Sequence, residues 1–257
     1  MKNNNMTIPL MMKAILLFMI CIIGLYGNPI GKTKALYERS FKEDDITAIK
    51  TLNEVIKLEP AFSEAHFRLG FLYHKMNRKQ EATASYEATL KLQPCHARAL
   101  NNLGSLKLDE NKNSEAGDLY KKAITCDPGF YSSYYNLANI YKDQNENEKA
   151  ILYYEKCLSL NPMHGRSLHN LGTLYLAGSK NTEDSTRTIY LKKAEENVKK
   201  ACGILKEDPL CRYTLGKIYA ASNNKEEAVK ALQDGYRLSR AGSLREKIRS
   251  LLYEVKG

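Results

Sequence analysis

The sequence predicts an all-α protein, an α-solenoid of antiparallel helix pairs, and three regularities support that prediction. A leucine followed by a small residue, an alanine and a proline each recur at a step of 34 residues over four consecutive units. The leucine pairs are Leu69–Gly70, Leu103–Gly104, Leu137–Ala138 and Leu171–Gly172; the alanines are Ala48, Ala82, Ala116 and Ala150; the prolines are Pro60, Pro94, Pro128 and Pro162.

Each residue type has a physical reason to stand at its position in a helix pair. Small residues let two helices approach closely, while leucine and aromatic side chains fill the space beside the contact. Proline cannot continue a helix, so it ends the second helix of each pair. The polar runs between the leucine pair and the alanine, such as "KDQNENEK", are typical of turns. Each unit is therefore predicted to be one helix, a turn and a second helix running back.

These residues resemble the tetratricopeptide repeat, and residues 131–164 match its pattern with Tyr134, Leu137, Ala138, Tyr141, Ala150, Tyr154, Cys157 and Pro162. The resemblance implies a right-handed superhelix of six repeats within a domain at 28–242. The repeats are 29–62, 63–96, 97–130, 131–164, 165–208 and 209–242. Repeat 165–208 carries an insertion of ten residues, expected to lengthen a loop and the start of the following helix. Residues 243–257 are predicted to form a C-terminal capping helix.

The N-terminal residues 1–27 predict export as a signal peptide or membrane anchor. Lys2 and Lys13 precede an uninterrupted apolar run at 14–27, which is short for a membrane span and typical of a secretory signal. Three outcomes stay open: cleavage before Asn28, retention as an anchor, and lipidation at Cys21. The expected location is periplasmic or otherwise extracytoplasmic, or at a membrane to which the N-terminus anchors the chain.

In the tetratricopeptide family the first helices of the repeats line a concave groove, and the resemblance places twelve residues of this chain there. These predicted groove residues are Phe67, Arg68, Phe71, Asn101, Asn102, Tyr135, Asn136, Asn139, His169, Asn170, Tyr213 and Lys217. Amide side chains can pair with the N–H and C=O of an extended peptide, and aromatic side chains add apolar contact. Whether the asparagines that recur at the 34-residue step contact a partner or only reflect the repeat stays open.

Composition and motifs narrow the class of function. With 43% hydrophobic and 26% charged residues among 257, the chain can bury a core. The net charge of +10 raises nucleic-acid binding as a candidate, but the predicted groove is amide and aromatic rather than consistently basic, so no nucleic acid is expected. The repeats occupy nearly the whole chain, and no nucleophile elbow, phosphate loop or paired-acid motif is present, so no enzyme is predicted.

The cysteines predict packing rather than chemistry. Cys126, Cys157 and Cys202 are expected to be small buried residues of second helices. Cys95 lies in a turn between repeats and is expected to be an exposed thiol. Cys202 and Cys211 are close enough in sequence for a bridge, which geometry decides. No cluster has metal-ligand spacing, and no metal or cofactor is expected.

These patterns together predict a non-catalytic scaffold or adaptor for protein–protein interaction. It would be exported and would bind a peptide segment or partner protein in the groove of its repeats. The alternative is a regulatory or assembly subunit of a membrane, secretion or enzyme complex. In both cases the partner is a protein or peptide whose identity the residues do not specify.

Overall fold

The structure, a computed structural model, describes residues 29–257, except for the side chains of Pro29, Ile30 and Asn181. Within that range the chain forms thirteen α-helices and no strand, which confirms the predicted all-α fold. The predicted signal peptide or anchor at 1–27, with Cys21, lies outside the described residues.

The helices are α1 (Pro29–Arg39), α2 (Asp45–Leu58), α3 (Ser63–Lys75), α4 (Lys79–Leu92), α5 (Ala97–Asp109), α6 (Asn113–Cys126), α7 (Tyr131–Asp143), α8 (Asn147–Leu160), α9 (Gly165–Gly178), α10 (Asp184–Ile204), α11 (Pro209–Ala221), α12 (Lys225–Leu238) and α13 (Ser243–Lys256). Two short 3-10 helices, Ser40–Lys42 and Ser179–Asn181, follow α1 and α9.

The described chain contains two compact units, and in sequence their boundary falls between Leu106 and Lys107, inside α5. In the first unit α1 packs against α2, and α3 packs against α4. In the second unit α7 packs against α8, α9 against α10 and α11 against α12. Because short turns join the two helices of a pair, the helices run antiparallel. Five predicted helix pairs thus lie within one unit or the other, whereas the boundary falls inside the first helix of the predicted repeat 97–130.

The alanines of the 34-residue pattern lie at helix contacts. Ala48 and Ala82 in the first unit, and Ala116 and Ala150 in the second, are almost entirely buried. Ala48 belongs to a core formed by α2 and α3, whereas Ala150 belongs to the larger core of the second unit. A larger side chain at any of these positions would push two helices apart, which explains the recurrence of alanine.

Glycine stands where two helices are too close for any side chain. A Cβ built on Gly70 would lie 2.6 Å from the ring of Tyr86 on α4, and one on Gly172 would lie 2.5 Å from Cγ2 of Val198 on α10. Carbon atoms of packed side chains normally stay about 3.5–4.0 Å apart. The small residue of the leucine pair is therefore required by the close approach of first and second helices.

Asparagine ends the first helix in four of the pairs. Asn77, Asn111, Asn145 and Asn223 have φ between 57° and 62°, in the left-handed region that asparagine adopts more readily than other side chains do. The N–H of the following residue then bonds back across the helix end, as from Glu146 to the carbonyl of Tyr141 at 2.9 Å. These asparagines redirect the chain into the second helix.

The additional residues of repeat 165–208 form the 3-10 turn Ser179–Asn181 and a longer second helix. Helix α10 has 21 residues, compared with 14 in α8 and α12. At the C-terminus α13 packs against α12 and α11, with Ile248 fully buried on its inner face. Within residues 29–257, no helix combines the length and apolar character that crossing a membrane requires.

Candidate functional site

Three predicted groove residues on α3, namely Phe67, Arg68 and Phe71, line one cleft of the first unit, here termed the aromatic cleft. Its volume is about 230 Å³. For comparison, a protein cavity of about 150 Å³ holds a benzene molecule. The other lining residues are Tyr37 of α1, Phe41 of the 3-10 turn, Glu64 of α3, His96 and Arg98. The aromatic cleft is therefore large enough for one bulky side chain.

The apolar wall of the aromatic cleft is open to solvent. Phe71 is 48% exposed and Phe41 is 56% exposed. Phe67 is less exposed because its ring lies 4.6 Å from that of His96, and Tyr37 contacts Phe41 edge-on at 5.2 Å. Large apolar side chains gathered in one exposed place are typical of interaction sites.

Arg68 is fixed in position within the aromatic cleft. Its Nε donates to Ser40 Oγ at 2.9 Å and its Nη2 donates to the Ser40 carbonyl at 2.8 Å. Its guanidinium carbon lies 3.6 Å from the centroid of the Phe41 ring. Burial lowers the pKa of Arg68, but an arginine remains charged at neutral pH. Both hydrogen-bond acceptors are neutral oxygens, so a positive charge is held there without a carboxylate bonded to it.

Arg98 gives the aromatic cleft a second positive charge, and Glu64 gives it a negative one. The exposed guanidinium of Arg98 lies 5.0 Å from the centroid of Phe67. Burial alone would raise the pKa of Glu64, but hydrogen bonds, including that from Ser63 Oγ at 2.9 Å, leave it below its usual value. Burial lowers the pKa of His96, so its ring is neutral at pH 7. The lining thus has a net charge of one positive unit.

The first asparagine of the 34-residue series bonds a buried tyrosine. Asn102 Nδ2 donates to the hydroxyl of Tyr86 at 3.2 Å. Tyr86 is fully buried, and burial raises its pKa to about 12. The neighbouring Asn101 is only 7% exposed, and its Nδ2 donates to Asn102 Oδ1 at 3.3 Å. The structure therefore places Asn101 in a buried position rather than on an open surface.

In the second unit, two predicted groove residues bond the same tyrosine. Asn170 Nδ2 donates to the Tyr154 hydroxyl at 3.0 Å and to Asn139 Oδ1 at 3.1 Å. The Tyr154 hydroxyl donates to Asn139 Oδ1 at 2.5 Å. Tyr154 is fully buried, which raises its pKa. This hydrogen-bonded triangle connects α7, α8 and α9. Tyr135 lies beside it, with its ring 6.1 Å from that of Tyr154.

His169 on α9 faces α11, the first helix of the following repeat. Its Nε2 lies 2.9 Å from Thr214 Oγ1, and the Thr214 hydroxyl donates its single proton to the Leu210 carbonyl. His169 Nε2 must therefore be the donor to Thr214. Burial lowers the pKa of His169, so the ring is neutral at pH 7. This geometry joins α9 to α11.

The remaining predicted groove residues of the second unit are Asn136, Tyr213 and Lys217. Lys217 Nζ lies 5.5 Å from the centroid of the Tyr213 ring, so these two residues of α11 contact each other. Both are half-buried, as is Asn136 on α7. The second unit thus gathers Tyr135, Asn139 and Asn170 around Tyr154, and on α11 Lys217 lies beside Tyr213.

Sequence reasoning did not identify the part of the aromatic cleft that lies outside α3. Tyr37 and Phe41 belong to the first repeat, which has Ala35–Leu36 in place of the leucine–glycine pair, and no groove residue was assigned there, although the 34-residue step makes Tyr37 the equivalent of Phe71. His96 and Arg98 lie around the start of α5, just before the position expected to face a partner. One sequence feature could have indicated this part of the cleft. Phe41 is an aromatic residue within the charged stretch "ERSFKEDD", where it cannot contribute to a regular apolar helix face.

The cysteine predictions need correction. Cys95 is disulfide-bonded, so the expectation of an exposed thiol there is wrong; Cys126 is also disulfide-bonded and is not a free packing residue. The position of a cysteine within the repeat does not indicate whether it forms a disulfide, so this outcome was not predictable from the pattern. Cys157, Cys202 and Cys211 are free and buried. Among the described residues, no three His, Cys, Asp or Glu side chains are grouped so that they could hold a metal ion.

Family models and solved structures agree with this fold. Three tetratricopeptide-repeat models match the chain, at residues 72–129, 131–164 and 211–241. No curated protein matches the sequence. Among solved structures, PilF of Pseudomonas aeruginosa superposes with a TM-score of 0.74 at 16% identity, covering 86% of this chain and 98% of PilF.

Two further solved structures share the fold. PilW, a type IV pilus biogenesis factor, has a TM-score of 0.66 at 18% identity and covers 86% of this chain and 98% of its own. YrrB, a tetratricopeptide-repeat protein with an unusual peptide-binding site, has a TM-score of 0.60 at 18% identity and covers 77% of this chain and 97% of its own. At these identities the similarity establishes the fold alone.

Proposed function

Since this chain is a tetratricopeptide-repeat protein, we propose that it is an exported, non-catalytic scaffold that binds a segment of a partner protein on its first helices. The observation that carries the proposal is the aromatic cleft. There, three residues chosen from the repeat pattern lie together with a second exposed phenylalanine and a second arginine. An exposed apolar surface beside fixed charges suits recognition of a protein segment.

Two observations support export. The apolar run at 14–27 follows lysines in the order that a secretory signal has. Cys95 and Cys126 are disulfide-bonded, and stable disulfides are characteristic of oxidising compartments outside the cytoplasm. Determination of the N-terminal residue and the mass of the protein isolated from its host tests export. A full-length chain in the cytoplasmic fraction would contradict it.

Binding is tested by cross-linked capture from the native host with tagged full-length protein. We expect Phe71→Ala and Tyr135→Ala each to reduce recovery of the partner, because each removes an aromatic surface from a first helix. The matched control is Leu152→Ala, which removes a 62% exposed apolar side chain from the second helix α8. Equal recovery by all four proteins would contradict binding through the first helices.

The identity of the captured partner decides between two roles. YrrB has a peptide-binding site and PilW is a pilus biogenesis factor, and both have this fold. A single partner that binds through a short segment would support the adaptor. Recovery of a stable set of membrane or secretion components would support the second candidate, an assembly subunit. In either case, catalytic turnover by the purified chain would contradict the scaffold.

A further inference from the structure

We propose that the aromatic cleft binds a peptide segment in which a large apolar side chain stands next to an acidic residue. This inference rests on the proposed function and specifies the chemistry of the bound segment. It follows from the division of the aromatic cleft into an apolar part and a positively charged part.

The apolar part consists of Phe41, Phe67 and Phe71. Two of these rings present about half of their surface to water, and the volume of about 230 Å³ accommodates one large side chain. Inserting a phenylalanine or leucine side chain would remove apolar surface from water on both partners. Offset and edge-on contacts with the rings already present would favour an aromatic side chain.

The charged part consists of Arg68 and Arg98. Arg68 is fixed by Ser40 and Phe41, and among residues 29–257 its Nη1 has no hydrogen-bond partner. Arg98 lines the same cleft, and its guanidinium carbon lies 5.0 Å from the centroid of the Phe67 ring. A carboxylate would give both guanidinium groups a charged acceptor, the stronger kind of hydrogen bond.

Glu64 sets how much negative charge the segment can carry. It lines the same cleft, is ionised, and opposes one of the two arginine charges. Because His96 is neutral, a single carboxylate on the peptide neutralises the lining. A second acid close to Glu64 would be repelled. The expected segment is therefore apolar with one adjacent acid, and a long acidic run is disfavoured.

The test uses a display library of random short peptides selected on the full-length protein, followed by affinity measurement with labelled synthetic copies of the selected peptides. We expect these peptides to share a large apolar residue adjacent to aspartate or glutamate. Phe71→Ala and Arg98→Gln should each weaken binding about tenfold or more. The controls Ile46→Ala and Arg166→Gln alter an exposed apolar and an exposed basic residue outside the aromatic cleft and should leave affinity unchanged.

A second arm changes the peptide. Replacing its acid by the corresponding amide should weaken binding to the natural protein more than binding to Arg98→Gln, because both changes remove the contact with Arg98 whereas Arg68 is present in both proteins. Selected peptides that are basic, or that bind the cleft variants unchanged, would overturn the inference while leaving segment binding in place. Failure to select any peptide, with a partner still captured from the host, would also overturn it. Failure of both experiments would overturn the proposed function itself.

Discussion

Asn170 donates hydrogen bonds both to the hydroxyl of Tyr154 at 3.0 Å and to Oδ1 of Asn139 at 3.1 Å. Asn102 and Tyr86, separated by the same 16 residues in sequence, form the corresponding bond at 3.2 Å. Each tyrosine is a fully buried residue of a second helix, and each asparagine belongs to the first helix that follows. A buried hydroxyl without a partner is costly, so the recurring asparagine has a structural reason to be there.

The first prediction concerns this bond. Asn170→Ala should lower the free energy of unfolding by about 1–2 kcal/mol, because it removes two hydrogen bonds from a buried network. Tyr154→Phe should also be destabilising, and the double variant should cost less than the sum of the two. Urea unfolding followed by circular dichroism measures all three.

The control for this double-mutant cycle of Asn170 and Tyr154 is Asn197→Ala on α10. The side chain of Asn197 donates a hydrogen bond to the Lys193 carbonyl of its own helix. This substitution should have a much smaller effect on stability. Strict additivity of the Asn170 and Tyr154 variants would show that the two residues are not coupled. Because Asn170→Ala acts on stability, a loss of partner binding in this variant is informative only at temperatures where it remains folded.

The 34-residue pattern made the helix pairs predictable because the contact between two packed helices tolerates few residue types. The short distance between packed helices permits only small residues at certain positions, such as Gly70, Gly172, Ala48 and Ala150. These small residues recur at the repeat step, so a single sequence is enough to identify them. Asn170 was also predictable as a recurring position. Its bond to Tyr154 was not, because the periodicity assigns each residue a helix face without showing which polar groups meet across two helices.

The aromatic cleft and the disulfides depended on relationships that no repeat encodes. Phe41 reaches Arg68 because a 3-10 turn follows α1, in a repeat that departs from the pattern. The disulfide-bonded state of Cys95 and Cys126 depends on the distance between side chains in the folded chain. The aromatic cleft combines residues from different repeats, whereas the pattern compares equivalent positions one at a time.

The second prediction tests the close approach of α9 and α10. Gly172→Ala should destabilise the protein by about 1–3 kcal/mol, because the new methyl group would lie 2.5 Å from Val198 Cγ2 and 3.0 Å from the carbonyl oxygen of Ala194. Gly203→Ala is the matched control on α10, where nothing lies within 4 Å of the added carbon. It should stabilise by about 0.5–1 kcal/mol through helix propensity. Thermal and urea unfolding measure both, and an equal effect of the two substitutions would contradict the packing argument.

The third prediction concerns alkaline pH. Burial raises the pKa of Tyr86 to about 12, above its ordinary value near 10, so folding favours the neutral hydroxyl. The resulting stabilisation is complete below pH 10 and is lost as the pH rises from about 10 to about 12, with a total of about 3 kcal/mol. Unfolding free energies measured across this range should fall less steeply for Tyr86→Phe than for the natural protein. Other tyrosines and lysines titrate in both proteins, so parallel pH profiles would contradict the assignment to Tyr86.

The last prediction concerns the free, buried thiols of Cys202 near the end of α10 and Cys211 near the start of α11. The Cys211 thiol donates to the Val198 carbonyl at 3.7 Å. The interaction with Cys211 lowers the pKa of Cys202, whereas the interaction with Cys202, together with burial, raises the pKa of Cys211. Cys202 should therefore carry the attacking thiolate when oxidised glutathione is added. It forms a mixed disulfide and releases one glutathione; Cys211 then displaces the second, giving an intramolecular disulfide and two reduced glutathiones.

Intact-mass measurement after alkylation should show the loss of two free thiols and no retained glutathione. The reaction should be slow, because both thiols are buried and access requires local opening. Cys211→Ser should retain glutathione on Cys202, since the resolving thiol is absent. Cys157→Ser provides the control, because that buried thiol accepts a hydrogen bond from Ser167 and takes no part in the pair. Retention of glutathione by the natural protein would show that the two sulfurs cannot reach bonding geometry, and would contradict the prediction.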